Sequence, residues 1–167
     1  MKQLNNGWKE NKRWSDKFLP LIKRILGEIL IGEPPVMDDQ ERNTDLMVLK
    51  LDAVRIACRI RKHEYLEKYG DQFTIRATLP SGTKTELTKI IEGWGDYFFY
   101  GFSNEDETRL ERWILGDLKA FRIWFVRGIK NNKGICPGIS LNNNDNSSRF
   151  LAFEYKDIPN FVIAKQI

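Results

Sequence analysis

Acidic and basic side chains suited to phosphate chemistry lie close together in the stretch TDLMVLKLDAVRIACRIR, residues 44–61. Asp45 opens one predicted strand, and Arg59 and Arg61 lie two residues apart in the next. Because successive side chains of a strand point to opposite faces, the two arginines share a face. Cleavage of a phosphodiester with a divalent metal needs carboxylate ligands for the ion and a cation beside the phosphate. The stretch therefore indicates either such an enzyme or a protein that binds phosphate without cutting it.

The basic residues of the chain come in runs, although the formal net charge is only +4. The runs are KENKR at 9–13, RIRK at 59–62 and RGIKNNK at 127–133. Basic patches attract polyanions, and such runs are also typical of solvated faces. We therefore expect a nucleic-acid partner, DNA in the first place.

Several other kinds of site are excluded by the composition. His63 is the only histidine and follows a basic run, so we interpret it as a surface residue. Cys58 and Cys136 are far apart and form no CxxC pair, which excludes a disulfide framework and the usual zinc spacing. A Ser-His or Cys-His nucleophile would depend on His63 alone.

The overall composition is that of a globular protein, with 41% hydrophobic and 30% charged residues. The apolar runs are too short to span a bilayer, and the polar N-terminus lacks the apolar segment of a secretory signal. We therefore expect a cytoplasmic protein without a membrane partner. The length of 167 residues predicts a single domain over 1–167, of which residues 1–14 form a basic N-terminal arm.

The apolar pattern predicts helices and strands in alternation. Ser15 is a plausible N-cap for a helix of about four turns, which Gly32 and the prolines after it would end. The strand segments are LMVLKL and VRIACRI, joined as a hairpin, then FTIRAT, YFFYGF, a strand through Leu118 and a final FLAFEY. YFFYGF is apolar on both faces, which is typical of a central strand.

The remaining segments complete the prediction. Helices are expected from Thr83 and over LKAFRIWFV, and residues 128–149 form a long polar loop, flexible in part. The order α-β-β-β-α-β-β-α-β predicts an α/β fold, a mixed sheet flanked by helices. Trp94, Trp113 and Trp124 are interpreted as core residues in preference to platforms for stacked bases.

Over residues 15–102 this order resembles the PD-(D/E)XK nuclease superfamily, the restriction-endonuclease-like fold that includes Holliday-junction resolvases. The chain is also similar to proteins carried by bacteriophages and mobile elements. Members of the superfamily run from a helix with Glu to a strand that begins with Asp, then to a strand with a Glu-x-Lys pattern. The resemblance implies that Glu28 and Asp45 hold Mg²⁺ or Mn²⁺, and that CRIR at 58–61 takes the place of the Glu-x-Lys strand.

The chain departs from that pattern at two positions. Arg59 stands where the family has its metal-binding Glu, and Arg61 stands where it has Lys. An arginine can contact phosphate through its planar fork, but it cannot ligate a cation. Glu86, on the helix after FTIRAT, is available as a relocated carboxylate. The resemblance then implies a metal site of Asp45, Glu86 and Glu28, with Arg59 and Arg61 orienting the scissile phosphate.

Each of these residues has a structural alternative. Thr83 and Glu86 match a capping box, in which Thr83 caps the helix and Glu86 reaches back to its backbone. Glu28 is also consistent with a solvent-exposed helix residue, and Asp45 with an acidic residue in the turn before a strand. Arg59 and Arg61 could pair with surface carboxylates.

Two functions remain open on the sequence. The first is a divalent-metal-dependent phosphodiesterase, an endonuclease. The second is a nuclease fold without catalytic activity that binds nucleic acid or blocks a host protein machine.

Overall fold

A computed structural model describes residues 4–32, 47–48, 54–78, 82–142 and 148–167. The chain divides into two compact units, Met1–Val54 and Arg55–Ile167, and each is described by itself. Helices and strands alternate along the second unit, so the α/β class is confirmed.

The described part of the first unit contains two helices and one short strand pair. Helix α1 spans Leu4–Asp16 and helix α2 spans Leu19–Leu30. Strands β1 (Ile31–Gly32) and β2 (Met47–Val48) pair antiparallel. The apolar pattern that predicted one helix from Ser15 corresponds to α2, and residues 4–14 of the predicted basic arm are helical. Lys12 supports α1 through an ion pair of 2.7 Å with Asp16, one turn ahead.

The second unit contains a four-stranded mixed sheet. Its strands are β3 (Ile56–Arg61), β5 (Tyr97–Ser103), β6 (Leu110–Asp117) and β9 (Val162–Gln166), in the order β3-β5-β6-β9. Strands β3 and β5 run parallel, and the other pairs are antiparallel. A parallel pair needs a long crossover connection, which residues 62–96 supply. The predicted mixed sheet is confirmed.

The described residues of this unit also form a three-stranded antiparallel sheet and three helices. The sheet contains β4 (Gln72–Thr78), β8 (Arg149–Glu154) and β7 (Ile139–Asn142), in the order β4-β8-β7. The helices are α3 (Leu66–Tyr69), α4 (Glu86–Ile91) and α5 (Leu118–Asn131), with short 3₁₀ turns at His63–Tyr65 and Tyr155–Asp157. Asp117 caps α5 by accepting hydrogen bonds from the backbone N–H groups of Lys119 (2.6 Å) and Ala120 (3.2 Å).

Aromatic side chains from both sheets and from α5 form the core of this unit. Phe73, Phe121 and Phe161 are fully buried, and the rings of Phe73 and Phe161 stack with centroids 4.8 Å apart. Strand β5 is buried on both faces, because Phe98 and its neighbour Phe99 are each 0% exposed. The prediction that YFFYGF is a central strand is therefore confirmed.

The structure differs from the predicted elements in three places. Residues 49–53 of the predicted hairpin lie outside the described residues, and the described partner of β3 is β5. Part of the predicted loop 128–149 is regular, since α5 continues to Asn131 and β7 pairs with β8; residues 143–147 are not described. Strand β9 was not predicted, because VIAKQ is short and ends in polar residues.

The tryptophans divide between core and surface. Trp113 is buried and Trp124 packs partly buried against the core, as predicted. Trp94 is 60% exposed, so the prediction of a core role for it is wrong. It follows the end of α4 and therefore does not share the buried face of that helix. No helix in the described part of the chain combines the length and the apolar character needed to cross a membrane.

Candidate functional site

Two of the five predicted site residues form a direct contact. The Arg59 guanidinium donates from Nη2 to Glu86 Oε2 at 2.5 Å. Arg61 lies two residues further along β3, and its guanidinium stacks over the Tyr65 ring at 4.4 Å from the centroid. The other two belong to the first unit: Glu28 is an exposed residue of α2, and Asp45 lies outside the described residues.

Strand β3 positions Arg59 where it can reach two other elements. In the described sheet β3 is an edge strand, and Arg59 is in register with Tyr100 of β5. Its Nη1 donates to the Thr74 backbone carbonyl of β4 at 3.0 Å, while Nη2 reaches Glu86 at the start of α4. The Arg59 side chain is only 20% exposed. The guanidinium therefore joins β3, β4 and α4 in a partly buried contact.

The position of Glu86 follows from the way α4 begins. Thr85 is the N-cap, since its hydroxyl accepts from the Thr88 N–H at 3.3 Å. The predicted capping box is therefore wrong, because Glu86 is the first helical residue and not the third. Its Oε2 accepts from the backbone N–H of Arg76 at 3.1 Å as well as from Arg59. The carboxylate thus ties α4 to β3 and β4.

The contact between Arg59 and Glu86 forms part of a cleft of about 520 Å³. Its described lining contains five basic side chains and one carboxylate, a formal charge of +4, beside apolar residues and one tryptophan. The basic residues are Arg55, Arg59, Arg76, Lys84 and Lys89, the carboxylate is Glu86, and the apolar lining includes Ile56, Ala57, Ile90 and Leu118 with Trp94.

The basic side chains differ in how they are neutralised. Lys84 pairs with both carboxylate oxygens of Glu92, at 2.7 and 2.8 Å, and Arg59 pairs with Glu86. Arg55, Arg76 and Lys89 make no ion pair with any carboxylate of the described residues. Three positive charges in the cleft are thus not matched by a described acidic partner.

Arg76 is held in place although its charge is unmatched. Its guanidinium lies over the Phe150 ring at 5.3 Å from the centroid, and its Nε is buried with no hydrogen-bond partner in the described structure. A buried donor without a hydrogen-bond partner is energetically costly.

Trp94 lines the cleft, between two glycines with left-handed backbone. Gly93 has φ 97° and Gly95 has φ 81°, a conformation that side chains with a Cβ rarely adopt. The Arg55 guanidinium lies 5.9 Å from the centroid of the Trp94 ring system. The sequence contains this signal as the GWG triplet at residues 93–95.

Sequence analysis missed most of the cleft residues. Arg55 directly precedes β3 and Arg76 lies near the end of β4. Lys84 precedes α4, and Lys89 lies within it. No spacing in the sequence connects them, because the fold alone brings these elements to one place. Arg61, by contrast, does not line the cleft.

The described residues of the cleft do not match the needs of a divalent cation. Hard ions bind groups of carboxylate oxygens, and Glu86 is the only carboxylate among the described residues of the lining. Its Oε2 already accepts from a guanidinium, whose positive charge opposes a cation at the same place. Nowhere in the described ranges do three acidic, histidine or cysteine side chains cluster as metal ligands would. A site that includes Asp45 stays a prediction.

Comparison of the chain with protein-family models, with curated proteins and with solved structures finds no match.

Proposed function

We propose that the unit Arg55–Ile167 binds nucleic acid through the basic cleft. The observation that carries this proposal is the formal charge of +4 in the lining, with Arg55, Arg76 and Lys89 unmatched by described carboxylates. Phosphate groups are the anions that clusters of Arg and Lys bind in nucleic acids, and release of condensed counterions then drives binding. The superfamily that the sequence resembles also acts on nucleic acid.

Arg59 has a supporting role in this proposal. Its two terminal nitrogens already donate to Glu86 and to Thr74, so it has few donors left for a phosphate. Instead it holds the carboxylate of Glu86 away from the ligand and adds one positive charge to the cleft. The phosphate contacts then fall to the unmatched cations.

Binding without cleavage accounts best for the surroundings of Glu86. A metal-dependent nuclease would need Glu86 to exchange a guanidinium for a divalent ion, which would leave the partly buried Arg59 without its acidic partner. The nuclease activity, its Mg²⁺ or Mn²⁺ and the possible host protein partner therefore stay predictions from the resemblance.

Fluorescence anisotropy of a labelled 20-nucleotide thymidine strand, titrated with the full chain at several salt concentrations, tests the proposal. The double variant Arg55→Ala/Lys89→Ala removes two exposed cations of the cleft. Each phosphate contact on a single strand contributes a slope of about 0.7 in log K against log salt. Loss of two contacts should lower the slope by about 1.4 and the affinity by about 25-fold at 0.1 M salt.

The matched control is Arg127→Ala/Lys130→Ala. It removes the same charges from exposed positions of α5, about 14 to 18 Å along the helix from Leu118 at the cleft. The control should retain most of the affinity. Equal losses in both variants would mean that net charge alone drives binding, and the cleft would then not be the site. Shortening of the strand in Mg²⁺ or Mn²⁺ but not in EDTA would instead favour the nuclease prediction.

A further inference from the structure

We infer that the cleft is built for an unpaired nucleotide, whose base stacks on Trp94 while Arg55 contacts the adjoining phosphate. This inference rests on the proposed function and adds the form of nucleic acid that the cleft selects: a single strand in preference to a duplex.

The first observation is the exposure of the indole. Of the tryptophans whose side chains the structure describes, Trp94 alone is exposed, at 60% of its surface. It lines the same cleft as the unmatched cations. A large aromatic surface left in water beside a basic groove is the arrangement that proteins use to stack the bases of single strands.

The second observation is how firmly the backbone of Trp94 is held. Its N–H donates to the Lys89 carbonyl at 3.0 Å, and the Gly93 N–H donates to the Ile90 carbonyl at 3.0 Å. On the other side, Arg122 Nη1 donates to the Gly95 carbonyl at 3.1 Å. A platform that is already ordered loses little conformational entropy when a base stacks on it.

The third observation is the position of Arg55. Its backbone N–H donates to Asp96 Oδ2 at 2.8 Å, and its backbone carbonyl accepts from the N–H groups of Asp96 and Tyr97 at 2.8 and 3.1 Å. The fixed backbone keeps its guanidinium near the indole, 5.9 Å from the ring centroid. A stacked base and the phosphate attached to it thus have adjacent partners of matching chemistry.

Together these features discriminate between the two forms of nucleic acid. In a duplex both faces of an internal base are covered by its neighbours, so no face is free for an indole. A single strand can present one face without that cost. The cations alone would bind both forms, and Trp94 adds affinity for the single strand only.

The test compares Trp94→Ala and Trp94→Phe with the unchanged chain, using the 20-nucleotide thymidine strand and a 20-base-pair duplex. Trp94→Ala should weaken single-strand binding by about tenfold, which corresponds to about 1.4 kcal/mol, and change duplex binding less than twofold. Trp94→Phe keeps an aromatic face and should recover most of the loss. Because the side chain is exposed, the midpoint of urea unfolding should not move in either variant.

A matched control is Ile139→Ala, which removes another exposed apolar side chain, from β7 outside the cleft. It should leave both affinities unchanged. Equal weakening of single-strand and duplex binding by Trp94→Ala would overturn the inference, as would unchanged single-strand binding. If Arg55→Ala/Lys89→Ala still lowers affinity in either of those cases, the proposed function stands without the stacking platform. If the unchanged chain binds neither nucleic acid, both are refuted.

Discussion

Replacing Glu86 by alanine should destabilise the fold more than its position on a short helix suggests. The carboxylate accepts from the Arg59 guanidinium and from the Arg76 backbone N–H. The side chains of the ion pair are 20% and 25% exposed, for Arg59 and Glu86 respectively. Removing one partner of a fully buried pair costs about 3 to 5 kcal/mol, and exposed pairs contribute about 0 to 1 kcal/mol. A partly buried pair lies between these limits, at about 2 kcal/mol.

The lost hydrogen bond of the Arg76 N–H adds about 1 kcal/mol, so we expect Glu86→Ala to lower the free energy of unfolding by about 3 kcal/mol. Glu86→Gln retains an oxygen in nearly the same place, and it loses only the charge. Its expected cost is about 1 kcal/mol, because hydrogen bonds between ionised groups are roughly twice as strong as neutral ones.

Urea unfolding of the full chain, followed by tryptophan fluorescence, measures these differences. Glu92→Ala is the matched control, because Glu92 also pairs with a basic residue of the cleft, Lys84, but at exposed positions of 38% and 64%. It should cost less than about 0.5 kcal/mol. A double-mutant cycle of Arg59→Ala and Glu86→Ala should give a coupling energy of about 1 to 2 kcal/mol. A cost for Glu86→Ala no larger than that of the control would refute the structural role assigned to this carboxylate.

Three further predictions concern the same unit. Burial and the hydrogen bond to Asp71 raise the pKa of Tyr155 in the folded chain. Above about pH 10 the unfolded chain therefore loses this proton first, and the free energy of unfolding falls. Tyr155→Phe should flatten the fall in the urea midpoint between pH 9 and about pH 11, and an unchanged fall would contradict this prediction. A Cβ at Gly116 would overlap the Phe161 ring, so Gly116→Ala should cost about 2 to 3 kcal/mol in urea unfolding, and a neutral result would show that the core adjusts freely. Asp117→Ala removes the cap of α5 and should lower the unfolding free energy by about 1 kcal/mol, whereas Asp117→Asn should cost less than half of that.

The sequence by itself determined several local elements of the second unit. FTIRAT and YFFYGF form β4 and β5 because their β-branched and aromatic residues suit a pleated surface, and LKAFRIWFV lies within α5. The α/β class followed from the order of these elements. All of these properties depend on neighbours within a few residues, which a sequence displays directly.

The tertiary structure alone decided the site. The cleft exists because β3 pairs parallel with β5 and the crossover between them places α4 beside Arg59. No sequence pattern indicates either the strand pairing or the position of the helix. The same is true of Glu86, whose sequence context suggested a cap but whose partners come from two distant strands. Trp94 stays exposed because α4 ends before it. The apolar character of the residue had indicated a buried position instead. Local pattern selects an element, but the contacts of a side chain depend on which distant elements pack together, and that choice is made by the energy of the whole core.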